Sequence, residues 1–124
     1  MNEKELFEWL KDNYIPDLEK TNQFDYTDAY SKKYNMNIEL KSRYTHYDSL
    51  LIEKTKWDRL LGMSNPRYVN YTPKGIYSFD LTKVEPSFWF DRLMPKTTEF
   101  ENTEKIIKTV GFLDIKLAVP LLQR

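Results

Sequence analysis

Glu39 and Lys41 stand two residues apart, and Asp28 precedes Glu39 by eleven. On a strand, residues i and i+2 project to one face, so Glu39 and Lys41 point the same way while Ile38, Leu40 and Ser42 take the other. Ile38 and Leu40 suggest a buried strand, where an ionised pair is costly unless something compensates it. Metal coordination is one such compensation. Hard Mg²⁺ takes oxygen ligands and accepts carboxylates readily. A hairpin could fold Asp28 back beside Glu39, and the Leu40 backbone carbonyl is a natural third donor. Lys41 would then orient a water or stabilise charge building on phosphorus. The plainer reading is a Glu39–Lys41 salt bridge on a half-exposed strand, worth under about 1 kcal/mol.

Several elements must form to position these residues. Asn2 with Glu5 resembles a capping box, and Leu6, Phe7, Leu10 and Tyr14 recur at helical spacing, so a first helix is predicted from Glu3 to Asn13, stopped by Pro16. From Phe24 the period changes to two: Phe24, Tyr26, Asp28 and Tyr30 share one face of a predicted strand, with Asp25, Thr27 and Ala29 on the other. Asn35 and Asn37 suit a turn, and Met36 to Tyr44 reads as the partner strand. Ser49 to Ile52 is a short apolar run. Trp57, Leu60 and Leu61 predict a helix from Lys56 to Met63, ended by Gly62 and Pro66. Arg67–Tyr71 and Gly75–Leu81 read as two strands joined by a turn at 72–75. Ser87 to Met94 is ambiguous, Thr103 to Val110 fits a short helix closed by Gly111, and Phe112 to Val119 alternates as a last strand.

The order of an acidic helix, a strand bearing Asp28, a strand bearing Ile38-Glu39-Leu40-Lys41 and then a helix resembles the PD-(D/E)xK nuclease superfamily. The resemblance covers roughly Glu3 to Met63. It implies an α/β restriction-endonuclease-like fold, a mixed sheet flanked by helices, as a single domain over 1–124. It implies Asp28 and Glu39 as ligands of Mg²⁺ (or Mn²⁺) and Lys41 as the catalytic lysine. Some members add a carboxylate from the first helix, for which Glu19 and Glu8 are the candidates. Thr27 stands where the family's proline precedes its aspartate. The segment Ser49 to Leu61 looks like the post-motif region of small phage-type members. The activity implied is metal-dependent hydrolysis of phosphodiester bonds in DNA by an endonuclease. At this length there is no room for a separate recognition domain, which favours structure selectivity of the junction-resolvase kind. Two-strand cleavage would call for a homodimer.

An E-x-K triplet carries little by itself, and Asp114-Ile115-Lys116 is a competitor on a predicted strand. It ranks lower because little chain follows it, whereas the fold expects a helix and a strand after the motif. His46, the single histidine, reads as a loop residue before it reads as a general base. Lys54, Lys56 and Arg43 are candidates for backbone phosphates, although Lys54 and Lys56 read equally well as solvated. Asp25 lies on the face opposite Asp28. Tyr44, Tyr47, Trp57, Tyr68, Tyr71 and Trp89 could stack on unpaired bases, but core or strand-surface packing is the simpler account.

With 124 residues, 40% hydrophobic and 15% aromatic, the chain supports one packed domain. No cysteine is present, so disulfide frameworks and thiolate metal sites are excluded. Three glycines and no glycine-rich loop disfavour nucleotide-binding folds. No apolar run approaches the ~20 residues of a membrane span, and the acidic N-terminus is unlike a signal peptide, so no membrane and a cytoplasmic location are expected. Net charge is zero but unevenly spread: residues 1–20 carry six acids against three lysines, and residues 32–59 carry seven bases against four acids. A basic stretch around an acidic pair suits a site that holds both a cation and a polyanion. The lysine-, asparagine- and tyrosine-rich style points to a phage or bacterial source. The alternative function is a non-catalytic protein-binding or DNA-binding module on a degenerate nuclease fold.

Overall fold

The computed structural model describes residues 1–96 and 104–124. Helix α1 spans Glu3–Asn13, with the predicted capping box at its start: Glu5 N–H donates to Asn2 Oδ1 (2.8 Å) and Asn2 N–H to Glu5 Oε1 (3.1 Å). Its buried face is Leu6, Phe7 and Leu10, and the Tyr14 N–H closes the last turn on the Leu10 carbonyl ahead of Pro16. Strands β1 (Glu19–Lys20), β2 (Asp28–Ser31) and β3 (Met36–Ser42) follow, antiparallel to one another. The β2–β3 turn places Asn35 at φ 47°, a left-handed conformation that asparagine tolerates.

Strand β2 begins four residues later than the alternation from Phe24 predicts. Polar side chains take the backbone donors that a ladder would use: Asn22 Oδ1 accepts from Phe24 N–H, and Asp25 Oδ1 from Thr27 N–H. Strand β4 (Ser49–Glu53) leads directly into helix α2 (Lys54–Leu61), which starts and ends two residues before the predicted 56–63. Strands β5 (Pro66–Thr72) and β6 (Gly75–Asp80) form the expected hairpin. Gly75, at φ 152°, is required there because a Cβ would lie 2.0 Å from the Leu122 carbonyl oxygen.

Strand β7 covers Phe90–Pro95 and strand β8 Lys105–Asp114. The helix predicted over Thr103–Val110 is therefore corrected to a strand from Lys105 onward; Thr103 lies outside the described residues. Ile106, Ile107, Thr109 and Val110 are β-branched, and the strand pairs on both edges, with β4 and β7. Gly111 is no helix cap: it sits opposite Ile52, and a Cβ would meet Pro86 Cβ at 2.6 Å. The predicted last strand from Phe112 to Val119 is broken at Asp114 by a 3₁₀ turn over Ile115–Leu117, and β9 occupies Val119–Gln123.

Two sheets result. The larger has the order β1-β2-β3-β5-β6-β9 and is mixed, because β3 and β5 run parallel. The smaller, β4-β8-β7, is antiparallel. One core lies on the α1 face of the large sheet, joining Leu6, Phe7 and Leu10 to Ile38, Leu40 and Val69. The second lies on the opposite face, where Leu50, Ile52, Trp57 and Leu60 meet Tyr68 and Phe79. This is a single α/β domain whose β4–α2 connection crosses over β3. Among the described residues, no helix is long and apolar enough to cross a membrane.

Candidate active site

Asp28 and Glu39 are direct partners across the β2–β3 ladder and so share a face. That face is the one turned away from α1, since Ile38 and Leu40 point into the α1 core. Helix α2 covers the pair. Trp57 and Leu60 anchor the helix in the second core, which brings Lys56 and Arg59, one turn apart, over β3. Arg59 Nη2 reaches Asp28 Oδ1 at 3.1 Å and Glu39 Oε2 at 3.0 Å. Both carboxylates thus converge on one positively charged atom. Lys56 Nζ adds a contact to Glu39 Oε1 at 3.4 Å and one to Glu53 Oε2 at 3.5 Å.

Glu39 is only 3% exposed. Burial, with the neighbouring Asp28 carboxyl, pushes its pKa up to about 8, against the offsetting charges of Lys56 and Arg59. Burial also acts upward on Asp28, but its hydrogen bonds with Glu39 and Arg59 outweigh that and hold it below the ordinary value. The pair therefore shares one proton, kept on the glutamate side.

Lys41 lies one step further along β3 on the same face, opposite Asn70 of β5. It is half-buried and makes no hydrogen bond or ion pair among the described residues. Burial, then Lys56 and Arg43, lowers its pKa. The plainer alternative of a Glu39–Lys41 salt bridge does not hold, because Glu39 pairs with α2 instead. The Leu40 N–H donates to the Thr27 carbonyl at 2.7 Å, while the Thr27 N–H turns to Asp25. The Leu40 carbonyl, on the same edge beside Asp28, is thereby left without the reciprocal ladder bond.

The remaining predicted residues divide. Arg43 is committed internally, holding Asn70 Oδ1 (2.8 Å), the Leu51 carbonyl (2.7 Å) and the Tyr68 hydroxyl (3.1 Å). Lys54 turns to Asp58 at 2.6 Å and lies over the Trp89 ring. Glu19 is exposed on β1 opposite Tyr30, and Glu8 is exposed on α1, whose buried side packs on the other face of the sheet. Neither meets the pair, and among the described residues no three His, Cys, Asp or Glu side chains converge to hold a metal. The two carboxylates meet at Arg59, and the Leu40 carbonyl lies on the strand edge next to them; oxygen donors of this kind suit a hard, water-retaining cation. The competitor triplet is not a strand pair: Asp114 caps the 3₁₀ turn by accepting the Lys116 N–H. His46 Nδ1 bonds Thr72 Oγ1 at 2.8 Å and its ring packs near Tyr77.

Sequence reasoning missed Arg59, Glu53 and Lys108, the last bonded to Glu53 Oε1 at 2.8 Å. Arg59 carried a signal, standing three residues after Lys56 on a predicted helix. Lys108 was hidden because its strand read as a helix. No family model and no curated protein matches the chain.

Proposed function

We propose that this protein hydrolyses phosphodiester bonds in DNA with a divalent cation, Mg²⁺ or Mn²⁺, held by Asp28, Glu39 and the Leu40 carbonyl. The observation that carries this reading is the convergence of both carboxylates on the one Arg59 nitrogen, with an unpartnered Lys41 on the same face. A pair that shares the charge of a guanidinium is placed to share that of a metal ion. The element order also supports a restriction-endonuclease-like fold: α1, the short β1, β2 with Asp28, β3 with Glu39 and Lys41, β4 of the smaller sheet, α2, then β5 parallel to β3.

The cation, when bound, neutralises phosphate charge and makes water a better nucleophile. Glu39 must first release its proton, and Arg59 and Lys56 keep the pair compensated until then. The Lys41 ammonium donates to the phosphate oxygens as negative charge accumulates on them. Its lack of an internal partner leaves it available for that role. Two copies of the chain would supply the two sites needed to cut both strands.

A second reading is a non-catalytic DNA-binding module on the same fold. It is favoured by Arg59 and Lys56 already occupying the carboxylates and by the lack, among the described residues, of a third acidic or imidazole side chain beside them. The two readings separate in one assay. Branched, single-stranded and duplex DNA are incubated with Mg²⁺, with Mn²⁺ and with EDTA. The nuclease reading expects cleavage that needs the metal and disappears in Glu39→Ala and Lys41→Ala. Cleavage that persists in both variants, or no cleavage of any substrate, rejects it.

A further inference from the structure

Between the two sheets, beside Lys41, lies a cavity of about 190 Å³. Four cations line it, Lys41, Arg43, Lys56 and Lys108, against the single carboxylate of Glu53. Arg43, Lys56 and Lys108 have internal partners, but the Lys41 side chain makes no hydrogen bond or ion pair among the described residues, so the lining keeps an excess of positive charge. A space of this size between packed sheets admits one phosphodiester group and excludes the paired strands of a duplex.

Lys41 and Arg43 also border a shallower groove at the end of β3, walled by Tyr44, Tyr47, Tyr71 and Pro73. Tyr44 is 101% exposed and Tyr47 59%, and the side chain of neither has a hydrogen bond or ring contact among the described residues. Glu3 and Glu5 stand in the same groove, engaged with the Ser42 N–H and the α1 cap. The groove is thus mixed in charge and aromatic, Glu3 and Glu5 standing against Lys41 and Arg43, where the cavity has four cations against one acid. Phosphate is drawn most strongly to the lysines of the cavity, which leaves the tyrosines to the bases. That division matches a strand whose phosphates and bases point in different directions, with bases free to stack on a ring. A duplex keeps its bases stacked inside and offers these tyrosines only its backbone.

We propose that this surface binds an unpaired DNA strand, with a backbone phosphate among Lys41, Lys56 and Lys108 and flanking bases stacked on Tyr44 and Tyr47. The inference deepens the nuclease reading and rests on it for the choice of polymer, but the two can fail separately. Fluorescence anisotropy in EDTA compares a labelled 20-nucleotide oligothymidylate with a 20-base-pair duplex, a length above the roughly 4–16 nucleotides of a typical single-strand site. The oligothymidylate should bind at least about tenfold more tightly. Replacing one tyrosine by alanine should weaken it about tenfold, the scale of one base on one ring, and leave duplex binding unchanged. Lys108→Gln should lower the slope of log affinity against log salt by about one phosphate contact. Circular dichroism of each variant checks that it is folded; Tyr44 and Tyr47, being exposed, leave the cores untouched. Equal or tighter duplex binding, no binding of either oligomer, or tyrosine variants that bind the single strand normally would overturn the proposal. Metal-dependent cleavage without single-strand preference would leave the nuclease reading standing and remove this one. Tyrosine-dependent single-strand binding without any cleavage would do the reverse.

Discussion

The two faces of strand β3 carry opposite duties on alternate residues. Toward α1 it offers Ile38 and Leu40, buried among apolar side chains that match them in volume and need nothing more. Toward α2 it offers Glu39 and Lys41, one a buried acid compensated by two cations from a helix, the other a half-buried cation with no ion pair among the described residues. The α1 face resembles any amphipathic helix docked on a sheet. The α2 face costs free energy at each charged position, and unpaired or over-compensated charge in a folded chain is where function concentrates. The difference shows that one strand can be half scaffold and half chemistry, with the pleat keeping the two apart.

Adjacent substitutions test that separation most severely. Lys41→Ala should cut metal-dependent cleavage at least about a hundredfold, the usual loss for one donor aimed at developing charge. Thermal unfolding of the same variant should show stability unchanged or slightly raised, because a half-buried cation without a partner is removed. Leu40→Ala should do the opposite, costing about 2–5 kcal/mol in denaturant unfolding as a 1% exposed side chain leaves a cavity. If Lys41→Ala destabilised the chain as much as Leu40→Ala, the α2 face would be scaffold too.

A pH titration sharpens the contrast next. Glu39 ionises at about 8 in the folded chain against an ordinary 4.5. Between those values the folded state holds the extra proton, so stability falls as pH rises through the window and levels off above it. Asp28 works in the other direction: its lowered pKa contributes stability above the ordinary 3.8, lost as pH falls through the folded value. In EDTA the melting temperature should therefore decline from about pH 5 to 8, and Glu39→Gln should flatten that decline. Added Mg²⁺ should bind more tightly as pH rises, since the proton on the pair must leave first. A melting temperature that rises with pH across this range would contradict the shared proton.

Arg59→Ala gives a smaller effect. The guanidinium is partly exposed, so its loss should cost about 1 kcal/mol in EDTA. The stabilisation added by Mg²⁺ should be larger than in the wild-type chain, because the metal no longer competes with Arg59 for the carboxylates. Thermal shift with and without Mg²⁺ measures both.

How far these features were legible in the sequence depends on how local their causes are. Helix α1 was readable to the residue because the Asn2–Glu5 box and Pro16 act within a turn of its ends. The Asp28, Glu39 and Lys41 alignment was readable because a short hairpin and a period of two fix it. Strand β8 was not: Gly111 mimics a helix cap and masked the β-branched Ile106, Ile107, Thr109 and Val110, and the strand is completed by pairing with the neighbouring β7 and with β4, far away in sequence. The same distance hid the partners of Glu39. Lys56 was visible as a base on a helix, but nothing local says that β4 and α2 fold back across β3. Asn22 and Asp25 explain the shortened β2, because short polar side chains compete with ladders without disturbing an alternating pattern.

The smallest effect separates helix α2 itself into two faces. Lys56 and Arg59 look inward to the carboxylates, whereas Lys54 pairs with Asp58 at 2.6 Å, with 37% and 59% of the two side chains exposed. An exposed i,i+4 pair is worth about 0.3–0.5 kcal/mol, much of it screened by salt. With its place over the Trp89 ring included, Lys54→Ala should shift denaturant unfolding by no more than about 1 kcal/mol, and the part due to the ion pair should vanish at high ionic strength. Cleavage should stay within about twofold of wild type, since Lys54 touches neither the carboxylates nor the cationic cavity. A Lys54→Ala loss of activity comparable to that of Lys41→Ala would place the DNA path over the outer side of α2, and the division drawn along β3 would need to be redrawn around the helix.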